Sequence, residues 1–190
     1  MPSAEYVVSA MAASLFALTP IASQAAWELS GTKSIFAVTA EGTRVRLGSV
    51  EFVPAPDGAT RFEVKMEAAP FSDHFLSMRE FKCLQASAEL TCHVPYPYPN
   101  PKTVTRANLA WLEHSLLFFY KRPTDFGAKL WNGIYFEFKE TETGLVGTPQ
   151  AIDLNAIAAP PTDASQPPFR RALRDAMPHE ARWIRRLSVE

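Results

Sequence analysis

The chain predicts a mostly β domain, an antiparallel barrel or sandwich of about seven or eight strands with one α-helix inserted late. Two observations predict it. Short runs that alternate apolar and polar residues recur between turn residues, first from Ser34 to Val94 and again from Leu130 onward. A single stretch between them, Thr105 to Arg122, repeats its apolar residues at a helical period instead. The rival architecture is an α+β sheet with that helix packed across one face.

The elements follow in order. Ser34–Val38 forms a first strand, and Glu41-Gly42 turns the chain. In Thr43–Phe52, Val45 and Leu47 share one face, and then Val50 and Phe52 carry the pattern in a shifted phase. A phase slip beside Gly48 predicts a β-bulge or a break. Pro54–Thr60 is a strong turn, because proline fixes φ, Asp57 can bond its own backbone and Gly58 accepts positive φ. Arg61–Glu67 is the clearest strand. Phe62, Val64 and Met66 face one way, and Arg61, Glu63, Lys65 and Glu67 the other, so this sheet has a dry and a wet side. Two more strands are expected at Leu76–Leu84 and Glu89–Val94. Leu109, Leu112, Leu116 and Phe119 then recur at three- and four-residue steps. They predict a helix capped by Thr105, with Lys121 and Arg122 at its C-terminal end and Pro123 as its stop. In Leu130–Glu140, Ile134, Phe136 and Phe138 oppose Tyr135, Glu137 and Lys139, and Thr141–Gly144 turns the chain into a returning strand. Pro160–Pro168 cannot hold regular structure. The tail predicts a short helix and a last strand from Arg182, although Trp183, Ile184 and Leu187 also suit a helix.

Residues 1–25 read as a leader rather than part of the domain. An apolar run from Val7 to Leu18 ends in Ser23-Gln24-Ala25, a small-x-small site for cleavage after Ala25. The segment lacks the basic residue that usually opens a signal peptide. Its apolar run is also shorter than the ~20 residues a spanning helix needs. A buried helix of the fold is the alternative. Residues 26–190 are then one domain, long enough to bury a core without metals. The chain of 190 residues has a formal net charge of −1, and losing the leader's one acid, Glu5, makes it neutral. A neutral chain offers no global field for nucleic acid. The location predicted is periplasmic or secreted.

Both cysteines lie in "FKCLQASAELTCHV" (Phe81–Val94). Pairing Cys83 with Cys92 across a hairpin also pairs Leu84 with Thr91 and Gln85 with Leu90, leaving Ser87-Ala88 as a two-residue turn. Directly opposed residues stand about 4.5–5.5 Å apart at Cα, within reach of a disulfide. A shared metal fails, because adjacent residues on a strand face opposite ways and His93 therefore points away from Cys92. No CxxC or HxxxH spacing exists in the chain. A disulfide is expected, with no metal and no cofactor.

Other candidates are contact residues. "PYPYPNP" (Pro95–Pro101) displays Tyr96 and Tyr98 on an extended backbone, either as an aromatic contact surface or as a rigid connector. Trp131 and Tyr135 would line the mouth of a barrel, where apolar ligands bind. Six arginines crowd the tail, and Arg171, Arg174, Arg185 and Arg186 would form a patch for a membrane surface or an acidic partner if they converged. The Asp125-Phe126-Gly127 triplet stands without a phosphate loop or an HRD segment and carries no kinase meaning. The histidines are scattered, and a trio of Ser72, Asp73 and His74 would ask adjacent residues to meet.

No catalytic set converges in the sequence. The function expected is that of an exported, non-catalytic protein binding a partner or a small apolar ligand. A cell-envelope hydrolase with residues gathered from loops is one alternative. An envelope assembly factor acting through the basic tail is another.

Overall fold

Alternation sets the strands. In the computed structural model, which describes residues 1, 27–178 and 180–190, β1 (Gly31–Thr39) and β2 (Arg44–Pro54) pair across the Glu41-Gly42 turn. The expected leader lies outside the described residues apart from Met1, as does His179. The register slips opposite Leu47, where Ile35 faces Gly48 and Phe36 faces Arg46. This is the bulge that the phase of the sequence predicts. Gly48 is needed there, since a Cβ would stand 2.1 Å from the Lys65 carbonyl oxygen of the neighbouring strand. β3 (Thr60–Met66) buries Phe62 and exposes Arg61, Glu63 and Lys65 as expected. The turn before it carries Gly58 at φ +82°, and the Asp57 carboxylate accepts from the Ala59 N–H at 3.0 Å.

The next hairpin departs from expectation. β4 (Ser72–Leu76) and β5 (Arg79–Gln85) replace the single strand expected from Leu76 to Leu84. Two non-glycine residues at positive φ, Ser77 at 50° and Met78 at 63°, form the turn between them, and no glycine, asparagine or aspartate announces it in the sequence. β6 (Leu90–Val94) follows, and β7 (Thr103–Val104) is a two-residue strand.

The expected helix is the largest correction. The helix α1 holds only Ala110–His114, and β8 (Leu117–Lys121) begins three residues later. The three-four period is real as far as Leu116, since Leu109, Leu112 and Leu116 all enter one apolar cluster. From Leu117 the period becomes two, with Phe118 in that cluster and Leu117 and Phe119 in another on the opposite face of the strand. A strand buried on both faces reads as an unbroken apolar run, which periodicity alone cannot tell from a helix. Thr105 does not cap the helix but forms a bridge with Asn108, whose side chain accepts from the Ala110 N–H at 3.1 Å.

The chain ends with β9 (Gly133–Thr141), β10 (Gly144–Ile152), the two-residue β11 (Asp175–Ala176) and β12 (Ile184–Val189). Short 3-10 turns occur at Leu154–Ile157 and Arg171–Leu173.

Twelve antiparallel strands form one sheet in the order β4-β5-β6-β8-β9-β10-β12-β1-β2-β3-β7, with β11 beside β10. The all-β expectation holds. The barrel or sandwich of about seven or eight strands does not, because the sheet is single, has more strands and, among the described residues, leaves β4 and β7 as its edges. It curls without closing. Residues of β2 and β5, far apart in the strand order, meet around one interior point with Ala37, Phe118, Phe136 and Leu187, and no space for a water remains there. Bulges in β1 against β2 and against β12 supply part of the bend. A second cluster covers the outer face of β5, β6, β8 and β9, sealed by Leu154, Ile157 and Phe169 from the irregular segment after β10.

Candidate functional site

The disulfide anchors the site. Cys83 and Cys92 are bonded across β5 and β6, with Leu84 opposite Thr91 and Gln85 opposite Leu90, as the sequence predicts. Ala86 N–H donates to Glu89 at 2.8 Å and closes the Ser87-Ala88 turn. The Cα atoms are 3.9 Å apart, closer than most disulfides. His93 faces the other way, its Nε2 donating to the Ser115 carbonyl at 3.2 Å. Two residues beyond the disulfide on the same face of each strand stand Phe81 and Val94.

Phe81 and Val94 line a groove of about 380 Å³ at the end of the second cluster. One wall is the proline-tyrosine segment, where Pro95, Pro97 and Tyr98 face the turn at Leu154–Ile157. Tyr98 Oη donates to the Ile157 carbonyl at 3.2 Å and joins the two. The other wall is the loop at Ala128–Trp131, tied to the β4–β5 tip by the Ala128 N–H donating to Ser77 Oγ at 2.8 Å. Gly127, at φ +67°, permits that approach, since a Cβ there would lie 2.9 Å from Ser77 Oγ. Leu154 N–H donates to the Leu130 carbonyl at 2.9 Å and holds the walls together. Hydrogen bonds thus fix the groove on several sides, so most of it is preformed.

Of the expected contact residues, Tyr98 and Trp131 meet in this groove, with Trp131 59% exposed. Tyr96 packs behind it against Tyr98, Trp111 and His114, and its buried hydroxyl has no hydrogen-bond partner among the described residues. Tyr135 is fully buried and lines no mouth. Its hydroxyl donates to the Glu113 carboxylate, whose other oxygen accepts from the Phe138 N–H at 2.7 Å. Burial raises the pKa of Glu113 and of Tyr135, although the two hydrogen bonds to Glu113 oppose its rise. His114, on the short helix, is fully buried. Its Nδ1–H donates to Ala110 at 2.7 Å, and its Nε2 accepts from the Phe169 N–H at 3.1 Å. Burial lowers its pKa to about 4. With both nitrogens engaged, this ring serves as a neutral clamp on the 158–169 segment. Asp73 and His74 occupy opposite faces of β4, and Asp73 pairs with Lys82.

The expected arginines lie in separate places. Arg174 is mostly buried, ion-paired to Glu137 at 3.3 Å and stacked 4.5 Å from the Tyr135 ring centroid. Arg171 stands exposed on its 3-10 turn. Arg185 acts electrostatically on Glu41 and Glu89, and Arg186 lies opposite Val38 on β12.

Beside the groove stands an exposed apolar crest. Phe75, Met78 and Phe126 are 76%, 91% and 94% exposed and border a second depression of about 610 Å³. Among the described residues no group of three His, Cys, Asp or Glu side chains is placed to hold a metal. No described helix is long and apolar enough to cross a membrane.

Sequence reasoning did not find Phe81, Val94, Leu130, Leu154 and Ile157 as groove residues. They look like any core positions, and only the fold turns them toward one opening. Fold and groove together define a disulfide-stapled all-β protein with one open, curled sheet and a preformed apolar recess. No family model matches the chain, and no curated protein or solved structure matches it.

Proposed function

We propose that this is an exported, non-catalytic binding protein whose groove takes a small apolar ligand. The observation that carries the reading is the groove itself. Its floor is Phe81, Val94 and Leu154, its rim is Tyr98 and Trp131, and its volume of about 380 Å³ falls at the small end of known ligand sites. The disulfide is compatible with an oxidising compartment and so supports export. The exposed Phe75, Met78 and Phe126 favour a second reading, in which a partner protein covers the crest beside the groove. A hydrolase draws no support from His93 or His114, which are engaged in backbone hydrogen bonds. An assembly factor using the basic tail draws little from Arg174, which is already ion-paired to Glu137.

Nile red, a neutral apolar dye, tests the groove by its fluorescence. The expected result is one saturable site that Trp131→Ala weakens and Ala158→Trp blocks, while Phe126→Ser leaves it unchanged. Binding lost in Phe126→Ser and kept in Ala158→Trp would move the site to the crest and overturn the assignment.

A further inference from the structure

We infer that the groove takes an apolar molecule ending in a carboxylate, with Arg79 as its counter-ion; this rests on the reading of the groove as a ligand site. Arg79 opens β5, and its guanidinium carbon stands 5.5 Å from the ring centroid of Phe81, the groove's aromatic floor. It is the one charged side chain among the described residues lining the groove, and no aspartate or glutamate lines it. Among the described residues Arg79 makes no ion pair. The acids that neighbour the walls are turned to other work. Glu80 pairs with Lys82 at 3.6 Å, the Asp153 carboxylate accepts from the Asn155 N–H at 2.9 Å, and Asp125 pairs with Arg122 at 2.9 Å. A second cation stands at the rim, with Lys129 Nζ 5.2 Å from the Trp131 ring centroid.

The field at the groove therefore has one sign. A guanidinium at the border of an apolar floor offers a planar fork that matches a carboxylate through two parallel N–H donors. A ligand whose chain lies on Phe81 and Leu154 would bring its head to this fork. An amine head would meet two cations. An alcohol would gain the apolar contact and lose the charge-assisted bond. A small, strongly hydrated anion would gain the charge and lose the floor.

Displacement of bound Nile red separates these outcomes. Decanoate, decanol and decylammonium are compared at pH 8, below the concentrations at which they aggregate, with wild-type protein, Arg79→Gln and Lys129→Gln. The expected order is decanoate first, about tenfold ahead of decanol, with decylammonium last. Arg79→Gln should bring decanoate to the level of decanol and leave decanol unchanged, and Lys129→Gln should have a smaller effect. Circular dichroism checks that each variant is folded. If decanoate and decanol displace the dye equally in the wild type, or if decanoate keeps its lead in Arg79→Gln, the carboxylate assignment is overturned while the groove stands as a ligand site. If the dye does not bind the groove at all, both readings are lost.

Discussion

A neutral histidine held at both nitrogens links one side chain to the pH behaviour of the molecule. His114 accepts the Phe169 N–H through Nε2, so adding a proton there would break that bond and place a charge among Tyr96, Tyr135 and Phe169. Its pKa falls from 6.5 to about 4 because burial disfavours the charged form. Between those values the unfolded chain binds a proton that the folded protein refuses, so stability is full above pH 6.5 and declines as pH drops toward 4. The loss amounts to about 3 kcal/mol over that window. His93, also lowered by burial, adds to the decline. Glu89 and Glu113, both raised by burial, oppose it, since a carboxyl that protonates more readily when folded gains stability as pH falls. The contribution of His114 is therefore read as a difference. Urea unfolding at pH 7.5 and pH 4.5 should show a markedly smaller drop for His114→Gln than for wild type. Equal drops would mean that this ring does not hold the 158–169 segment in the way described.

Among the elements, the β5–β6 hairpin ties the fold to the groove. Ser87-Ala88 is a poor tight turn, so the hairpin depends on its cross-link and on packing in the second cluster. Replacing both cysteines, Cys83→Ala with Cys92→Ala, should lower stability by about 2.5 kcal/mol from restored chain entropy alone, with lost packing adding to it. Urea midpoints measure this, and an unchanged midpoint would show that the hairpin holds its register unaided. Dye affinity should also fall, because Phe81 and Val94 are the next pair along the same face. The register of this hairpin was legible in the chain, since two cysteines and a period-2 pattern admit one register that closes, although the start of β5 was not. Other elements were legible only in part. Leu109, Leu112 and Leu116 announce a helix correctly, but Phe119 continues their spacing by coincidence after the backbone has become a strand. The β4–β5 hairpin was hidden because Ser77 and Met78 take positive φ without being glycine or asparagine. Tyr98 and Trp131 were visible as displayed aromatics, whereas Arg79 gave no signal, because its isolation from acids exists only after four separate segments have met.

At the scale of the whole molecule, one late strand joins what would otherwise be two sheets. Among the described residues the run β4-β5-β6-β8-β9-β10 and the run β1-β2-β3-β7 share no other strand pairing; β12 lies between β10 and β1 and pairs with both. Its Leu187 opposes Ala37 on one side and Gly147 on the other. Gly147 leaves no room for a side chain there, since a Cβ would meet the Phe138 ring at 2.9 Å. The backbone of Glu190 also exchanges hydrogen bonds of 2.7 and 3.0 Å with Ser34. The curled core draws from both runs, with Ile35 and Leu47 on one side and Phe118 and Phe136 on the other, so neither half can bury its apolar face alone. Such pairing across almost the full chain carries a large loop-closure cost, and the native sheet cannot assemble until the last residues are in place. Removing residues 184–190 should therefore abolish folding outright rather than trim an edge. The expected signs are collapse of amide dispersion in NMR spectra and loss of the near-ultraviolet dichroism of buried aromatics. Removing the edge strand β7 by Thr103→Pro with Val104→Asp should lower stability without abolishing the fold. A truncated chain that kept native dispersion would show that the β1–β3 run packs on the larger sheet without β12, and that side-chain packing across the curl, not strand pairing, unites the molecule.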